Sequence, residues 1–385
     1  MRARLVGMVL GFSLSCAALS RAQVEDLSKM AIPEATTVQV LPPAGPDRLY
    51  VLDMVFPHPI AGKAFVVDGV AQKVLGSITA GFLPSLVVAP GDKEILVLGT
   101  FWSRAARGER TDAVVFYDAS TLAPTGEVKL PGRFLIADKA HNADLTTDGR
   151  YLLVTNMTPA TSVMVVDVKQ RAVLGSIDTP GCTFVYPSGP RRFSSLCADG
   201  SLFTAQFDAE GKSTAQRSKP FFDVQNDPVF EHAALDRRSS TAQFVTYLGH
   251  VFNVDLAAPT PVFGDPWSIV SDAERRDGWR PGGWRLLDLH RDSHRLFVLM
   301  HRGGPWTHKY PGTEVWVLNV ATHQRVGRIK LESPAQSIAV SQGETPRLYA
   351  MAGRDLLTYD IRSGKLIGTL KEMGDTTLEL ITDDR

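Results

Sequence analysis

The nine histidines are the first residues to weigh, because imidazole is both the commonest metal ligand and a ready general base. None stands in a strong ligand spacing. His290 and His294 are separated by three residues, but they flank a hairpin turn and share no helix face, which argues against joint coordination. No HExxH, GxSxG or CxxCH occurs, so zincin, esterase-elbow and c-type haem chemistry lack their residues. No glycine-rich phosphate loop leads from a strand into a helix. Most acidic residues occupy turn positions, where Asp caps the local backbone. No catalytic residue and no metal site are therefore expected. The pattern is that of a scaffold.

Cysteine is the other reactive type, and there are three. Cys16 falls in a leader: Arg2 and Arg4 form a positive region, Leu5–Leu19 is apolar, and Ser20-Arg21-Ala22 offers small residues for cleavage. Residues 1–22 read as a secretory signal peptide, with an apolar run too short for a membrane anchor. Ser13-Leu14-Ser15 is a poor lipobox. The mature chain loses three arginines, so Lys+Arg falls from 41 to 38 against 41 acidic residues, a net charge of −3. That balance argues against nucleic acid or anionic lipid as a partner. Cys182 and Cys197 then lie in an exported chain, at the two ends of one hairpin, and a structural disulfide is expected over free thiols. Closing a loop of ~15 residues would contribute ~3 kcal/mol on the chain-entropy estimate.

The elements that carry these residues repeat. TSVMVVDVKQRAVLGSI (161–177) is an apolar strand ending in Asp, a polar turn and a second strand, the pattern of a β-hairpin. Related phrases open their turns at Asp68, Asp118, Asp167, Asp208, Asp255, Asn319 and Asp360, spaced 50, 49, 41, 47, 64 and 41 residues apart. A second motif lies between them, as in SLVVAPGDKEILVLG (85–99) and SIAVSQGETPRLYAM (337–351), and also occurs seven times. Two strands from each motif give four per unit, so the fold class is all-β, a seven-bladed β-propeller. A β-sandwich with accidental regularity is the alternative. The expected organisation is signal peptide 1–22, N-terminal arm 23–36 and propeller 37–385, with strands beginning near Thr37. The alternating tail TTLELIT (376–382) could close the ring by joining the first blade, or could be a short free strand.

Irregular segments hold the aromatic and cationic residues. FWSRAARGERTD (101–112) is a basic connection with Trp102, Arg104 and Arg107. Residues 257–285 account for the 64-residue spacing; Ser271-Asp272-Ala273-Glu274 reads as a capping box on a brief helix, and Trp267, Trp279 and Trp284 crowd the insert. HRGGPWTHKYPGT (301–313) is a further loop, with Trp306. Such residues serve either blade packing or a protein interface, where Trp and Arg concentrate. Trp102, Arg104, Arg107, Trp279, Trp284 and Trp306 are the partner-interface candidates.

Two of these segments, FWSRAARGERTD and RRDGWRPGGW (275–284), resemble the heavy subunit of the periplasmic tryptophan tryptophylquinone amine dehydrogenases. GFLPSLVVAPG (81–91), the Cys182–Cys197 hairpin and THKYPGTEVWVLN (307–319) extend the likeness across about residues 45–370. The resemblance implies a seven-bladed propeller in the periplasm and a heterotetramer of two heavy and two light subunits. It implies that the cofactor, tryptophan tryptophylquinone, sits in the light subunit and none in this chain. The complex would convert primary amines to aldehyde and ammonia and pass electrons to a small blue-copper protein. The heavy chain would hold the light subunit and wall part of the substrate channel, with Phe56 in LDMVFPHP (52–59) at the channel mouth, although Pro57 and Pro59 depart from the family pattern. YVLDMVFPH (50–58), PATSVMVVDV (159–168) and RSKPFFDVQNDPVF (217–230) resemble the aromatic-amine branch, and RRDGWRPGGW and ARGERTD (106–112) the methylamine branch. The balance leans to aromatic or arylalkyl amines, with methylamine the alternative. A self-sufficient propeller hydrolase, or a stand-alone periplasmic binding propeller, are the readings of a different class.

Overall fold

The structure, a computed structural model, describes residues 39–382 apart from 92, 134–138 and 158. The expected signal peptide and N-terminal arm lie outside the described residues. Seven antiparallel sheets follow one another along the chain, each of four or five strands. This is the all-β, seven-bladed propeller. Blade 1 takes its inner strand, Thr377–Thr382, from the end of the chain and pairs it with Arg48–Asp53, from Leu49↔Thr382 to Asp53↔Thr377. The tail therefore closes the ring. Thr37, where strands were expected to begin, lies outside the described residues. Residues 39–47 carry no strand, the first strand along the chain is Arg48–Asp53, and the inner place of blade 1 is filled by the C-terminal strand.

Blade strands are apolar on both faces, since each blade packs between two neighbours. In Arg48–Asp53, Tyr50 and Leu52 join a cluster with Leu86, Ile95 and Val97 of blade 2, while Leu49 and Val51 pack with Tyr349 and Met351 of blade 7. Period-2 geometry sends alternate side chains to opposite neighbours, so runs such as Leu-Tyr-Val-Leu replace the apolar/polar alternation of a one-sided sheet. The core is thus distributed between blades. At the seven repeat turns, the Asp or Asn side chain accepts backbone N–H groups two or three residues on. Examples are Asp68 from Val70 and Ala71 (3.0 and 2.9 Å), Asn319 from Ala321 (2.9 Å) and Asp360 from Ser363 (2.7 Å). Cys182 and Cys197 face each other in blade 4 and form a disulfide.

The irregular segments resolve into defined elements. The supposed connection 101–112 is a β-ribbon: strands Glu94–Arg104 and Arg107–Asp118 continue pairing through Phe101↔Thr111, Trp102↔Arg110 and Arg104↔Arg107. Its tip turns on Ala105 (φ 56°) and Gly108 (φ 96°). The 257–285 insert supplies two short outer strands to blade 5, a helix at Asp272–Arg276 and strand Trp279–Pro281 of blade 6. The capping box is present: Ser271 Oγ accepts from Glu274 N–H while Glu274 accepts from Ser271 N–H.

Candidate functional site: the loop-bearing face and the channel it covers

Antiparallel order fixes which loops share an end. In every blade, the turn between the second and third strands and the crossover to the next blade's inner strand open at the same end of the ring. By chain position Phe56 and Trp306 fall in such turns, and Trp102, Arg104 and Arg107 in the ribbon that extends one of them. Trp279 and Trp284 lie in and just after the strand Trp279–Pro281 that the blade 5 to blade 6 crossover enters. One end of the ring therefore gathers these segments, although not every side chain in them reaches the surface.

Phe56 sits in the turn after Arg48–Asp53, 53% exposed, and so is no core residue. Pro59 opens a short 3-10 turn, Pro59–Ala61, and Gly62 O then accepts from Ala80 N–H (2.8 Å) and Gly81 N–H (3.1 Å), tying this loop to the entry of blade 2. Trp102 meets Phe82 edge to face, with ring centroids 5.5 Å apart, and Arg104 and Arg107 are exposed on the ribbon tip. Trp306 is 65% exposed and lies edge-on to Tyr247 (6.1 Å), whose ring stacks on His308 at 4.2 Å. Trp279 differs. It is only 6% exposed, packs on Trp316 (5.4 Å) and lies under the guanidinium groups of Arg302 (4.9 Å) and Arg328 (5.0 Å), because its strand is paired to Met300–Arg302 inside blade 6.

Behind the face, the inner strands enclose an axial cavity whose lining includes His141, Asp144, His232, Arg285, Asp288 and Glu379. Ion pairs cross it. Arg237 binds Asp144 (2.5 Å) and Arg285 binds Glu379 (3.2 Å), although burial still pushes the Glu379 carboxyl above its ordinary range. His141 Nε2–H donates to Ala233 O at 3.0 Å, so its Nδ1 carries the lone pair. Burial drives His141 down to about 4 and His232 well below its usual value, and both rings stay neutral at pH 7.

At the mouth, Glu231 is shared by two lysines. Lys139 contacts it directly and Lys309 lies 3.6 Å away; their ammonium groups also sit 4.3 and 4.8 Å from the centre of the Trp284 ring. Burial works against the Lys139 charge, but Glu231 holds its ammonium above the usual range. Lys309 is pushed down to about 8 by burial and by the neighbouring ammonium of Lys139, with Glu231 opposing. Sequence reasoning missed this cluster and both buried histidines. A signal existed: His141 and His232 each precede an inner strand by two residues, in HNADL and HAALD. His290, by contrast, serves the fold, bonding Ser293 Oγ (2.7 Å) and Gly343 O (3.2 Å) around its turn. Among the described residues no group of three or more His, Cys, Asp or Glu is arranged to hold a metal ion.

Comparison with known proteins adds the following. The family model described as methylamine dehydrogenase heavy chain matches residues 46–384. A methylamine dehydrogenase heavy chain of Methylophilus methylotrophus is 31% identical over 96% of this chain and 92% of its own. One of Paracoccus versutus is 33% identical over 91% and 83%. Among solved structures, a putative 6-phosphogluconolactonase from Bacteroides fragilis superposes with a TM-score of 0.59 at 12% identity, covering 88% of this chain and 99% of that one. The dihydro-heme d1 dehydrogenase NirN gives 0.56 at 14% identity, covering 90% and 78%. Likeness at these identities shows the propeller fold alone.

Proposed function

Because the chain belongs to the methylamine dehydrogenase heavy chain family, we propose that it is the non-catalytic heavy subunit of an amine dehydrogenase that oxidatively deaminates primary amines. The carrying observation is the extent of the match, residues 46–384, which takes in all seven blades. The tryptophan tryptophylquinone belongs to a light subunit, two of which pair with two heavy chains, and it supplies the carbonyl chemistry of the reaction. This chain's residues position and enclose. Phe56, exposed on the loop-bearing face, walls the substrate channel. Trp102, Arg104, Arg107, Trp284 and Trp306 on that face meet the light subunit, and Trp279 supports them from within blade 6. Electrons leave through a small blue-copper protein.

Methylamine is the favoured substrate. The relatives named above are methylamine dehydrogenase heavy chains, which supports methylamine over the aromatic and arylalkyl amines suggested by phrases such as YVLDMVFPH. The periplasm is the proposed location, supported by the Cys182–Cys197 disulfide and by the composition of residues 1–22. No helix among the described residues is long and apolar enough to cross a membrane. A hydrolase reading would need acidic side chains free to ring a metal in the channel, whereas Asp144 and Glu379 are each engaged by an arginine.

The test is a pull-down of the chain from its native host, read by mass and visible absorption. A co-eluting small subunit with a quinone band bleached by methylamine is expected. A band bleached by tyramine and poorly by methylamine would move the substrate to the aromatic branch. A colourless single chain from amine-grown cells would defeat the heavy-subunit reading.

A further inference from the structure

The channel mouth is not balanced in charge. Three cations, Lys139, Lys309 and Arg285, face two carboxylates, Glu231 and Glu379. Arg285 is taken up by Glu379, and Lys139 is the nearer partner of Glu231. Lys309 is left with a shared carboxylate at 3.6 Å and a like charge beside it. A half-buried ammonium in that position is costly and gains most from a further anion. Several neighbouring polar atoms are also buried without a partner: Trp284 Nε1, His308 Nδ1 and His232 Nδ1. The rim is aromatic and open to solvent, with Trp306 at 65% and Tyr310 at 58% exposure. Few large apolar side chains among the described residues are so exposed.

Excess positive charge set inside an aromatic rim fits a carboxylate borne on an apolar protein surface. It does not fit the substrate ammonium, which two lysines repel. We propose that Lys309, held over the Trp284 indole, seats a carboxylate side chain of the quinone-bearing light subunit, so that the sector formed by blades 5 and 6 anchors the interface. This rests on the heavy-subunit reading above. Trp306, Tyr310 and Tyr247 would then be covered by the surface around that carboxylate, in the usual arrangement of an interface whose desolvated centre carries aromatic anchors.

The pH dependence follows from the groups that face Lys309, namely Glu231 and Lys139 across the mouth and His308 on its own loop. Free Lys309 loses its proton near pH 8. A partner carboxylate raises that value, so assembly above pH 8 takes up a proton and weakens as pH rises.

The experiment separates heavy and light subunits of the native complex and measures reassembly by titration at pH 7 and pH 9. Lys309→Gln is expected to weaken assembly roughly tenfold at pH 7, the scale of one charge-assisted hydrogen bond. Lys309→Arg is expected to retain it at both pH values, and the wild type to fall towards Lys309→Gln at pH 9. Wild-type affinity in Lys309→Gln, or a fall at pH 9 that Lys309→Arg shares with the wild type, would overturn the proposal while leaving the heavy-subunit reading intact. A wild-type chain that holds no quinone subunit at any pH would remove that reading, and this proposal with it.

Discussion

Buried His141 and Lys309 at the channel mouth give pH responses of the same sign in two separate windows. His141 is neutral and buried, with its pKa lowered to about 4 by burial. Between pH 6.5 and 4 the unfolded chain binds the proton and the native chain does not, so stability declines as pH falls through that window. His141→Gln keeps a donor for Ala233 O and removes the titration. Urea unfolding of the isolated chain should show a shallower acid slope for this variant, by up to one proton; an unchanged slope would mean that His141 is already charged or open to water. Lys309 is also a base with a lowered pKa, but its window lies higher. The native state gains stability as pH rises from about 8 towards the usual lysine value, because only there does the unfolded chain stay protonated longer. Beyond the shared placement of His141 and His232 two residues before a strand, none of this was legible in the sequence. The residues at positions 139, 141, 231, 232 and 309 are scattered over two crossovers and one hairpin, and only the ring brings them together.

Local chemistry made the repeated turns legible. An Asp or Asn at the end of a strand meets its own backbone two or three residues later, a contact that depends on sequence neighbours alone. The helix at Asp272–Arg276 announced itself in the same way, through Ser271 and Glu274. The blade 2 ribbon did not. Its charged residues show no strand alternation, and its pairing is propagated from Thr100↔Asp112 by the hairpin below it. Arg110 further binds the Asp112 carboxylate at 2.7 Å, which places opposite charges along one edge of the ribbon. The disulfide lies between these cases. Its two cysteines were recognisable as ends of one hairpin, and the strands Cys182–Gly189 and Arg192–Cys197 bring them face to face. Replacing both by serine should cost about 3 kcal/mol, the entropy of a loop of this length, with the seven-bladed fold retained. Denaturant unfolding of wild type against the double variant measures it, and a difference under 1 kcal/mol would show that the bridge adds nothing to native stability.

Closure of the ring is decided at the scale of the whole molecule. The strand Thr377–Thr382 pairs with Arg48–Asp53, and Asp53 accepts the N–H groups of Asp375 and Thr376 at 3.0 and 2.8 Å. From the same strand, buried Glu379 reaches Arg285 of blade 6. Deleting residues 376–385 would bare the edge of blade 1 and leave the Arg285 guanidinium without its carboxylate. The truncated chain should lose its cooperative melt and elute as oligomers or aggregate in size exclusion. A monomeric truncation with an unshifted melt would show that the C-terminal strand is dispensable.

The sequence by itself determined the number of blades, the position of every repeat turn, the disulfide and the segments that depart from the repeat, because each follows from local propensity or from recurrence along the chain. Residues such as FWSRAARGERTD and RRDGWRPGGW also carried the family likeness that the match over residues 46–384 bears out. The tertiary structure alone decided that the tail completes blade 1, that Trp279 packs inward while Trp306 stands in solvent, and that Lys139, Glu231 and Lys309 converge on Trp284. Those outcomes depend on contacts between distant blades, such as Lys139 with Glu231. No pattern along the chain encodes such a contact until the ring closes and sets one face of loops around a common axis.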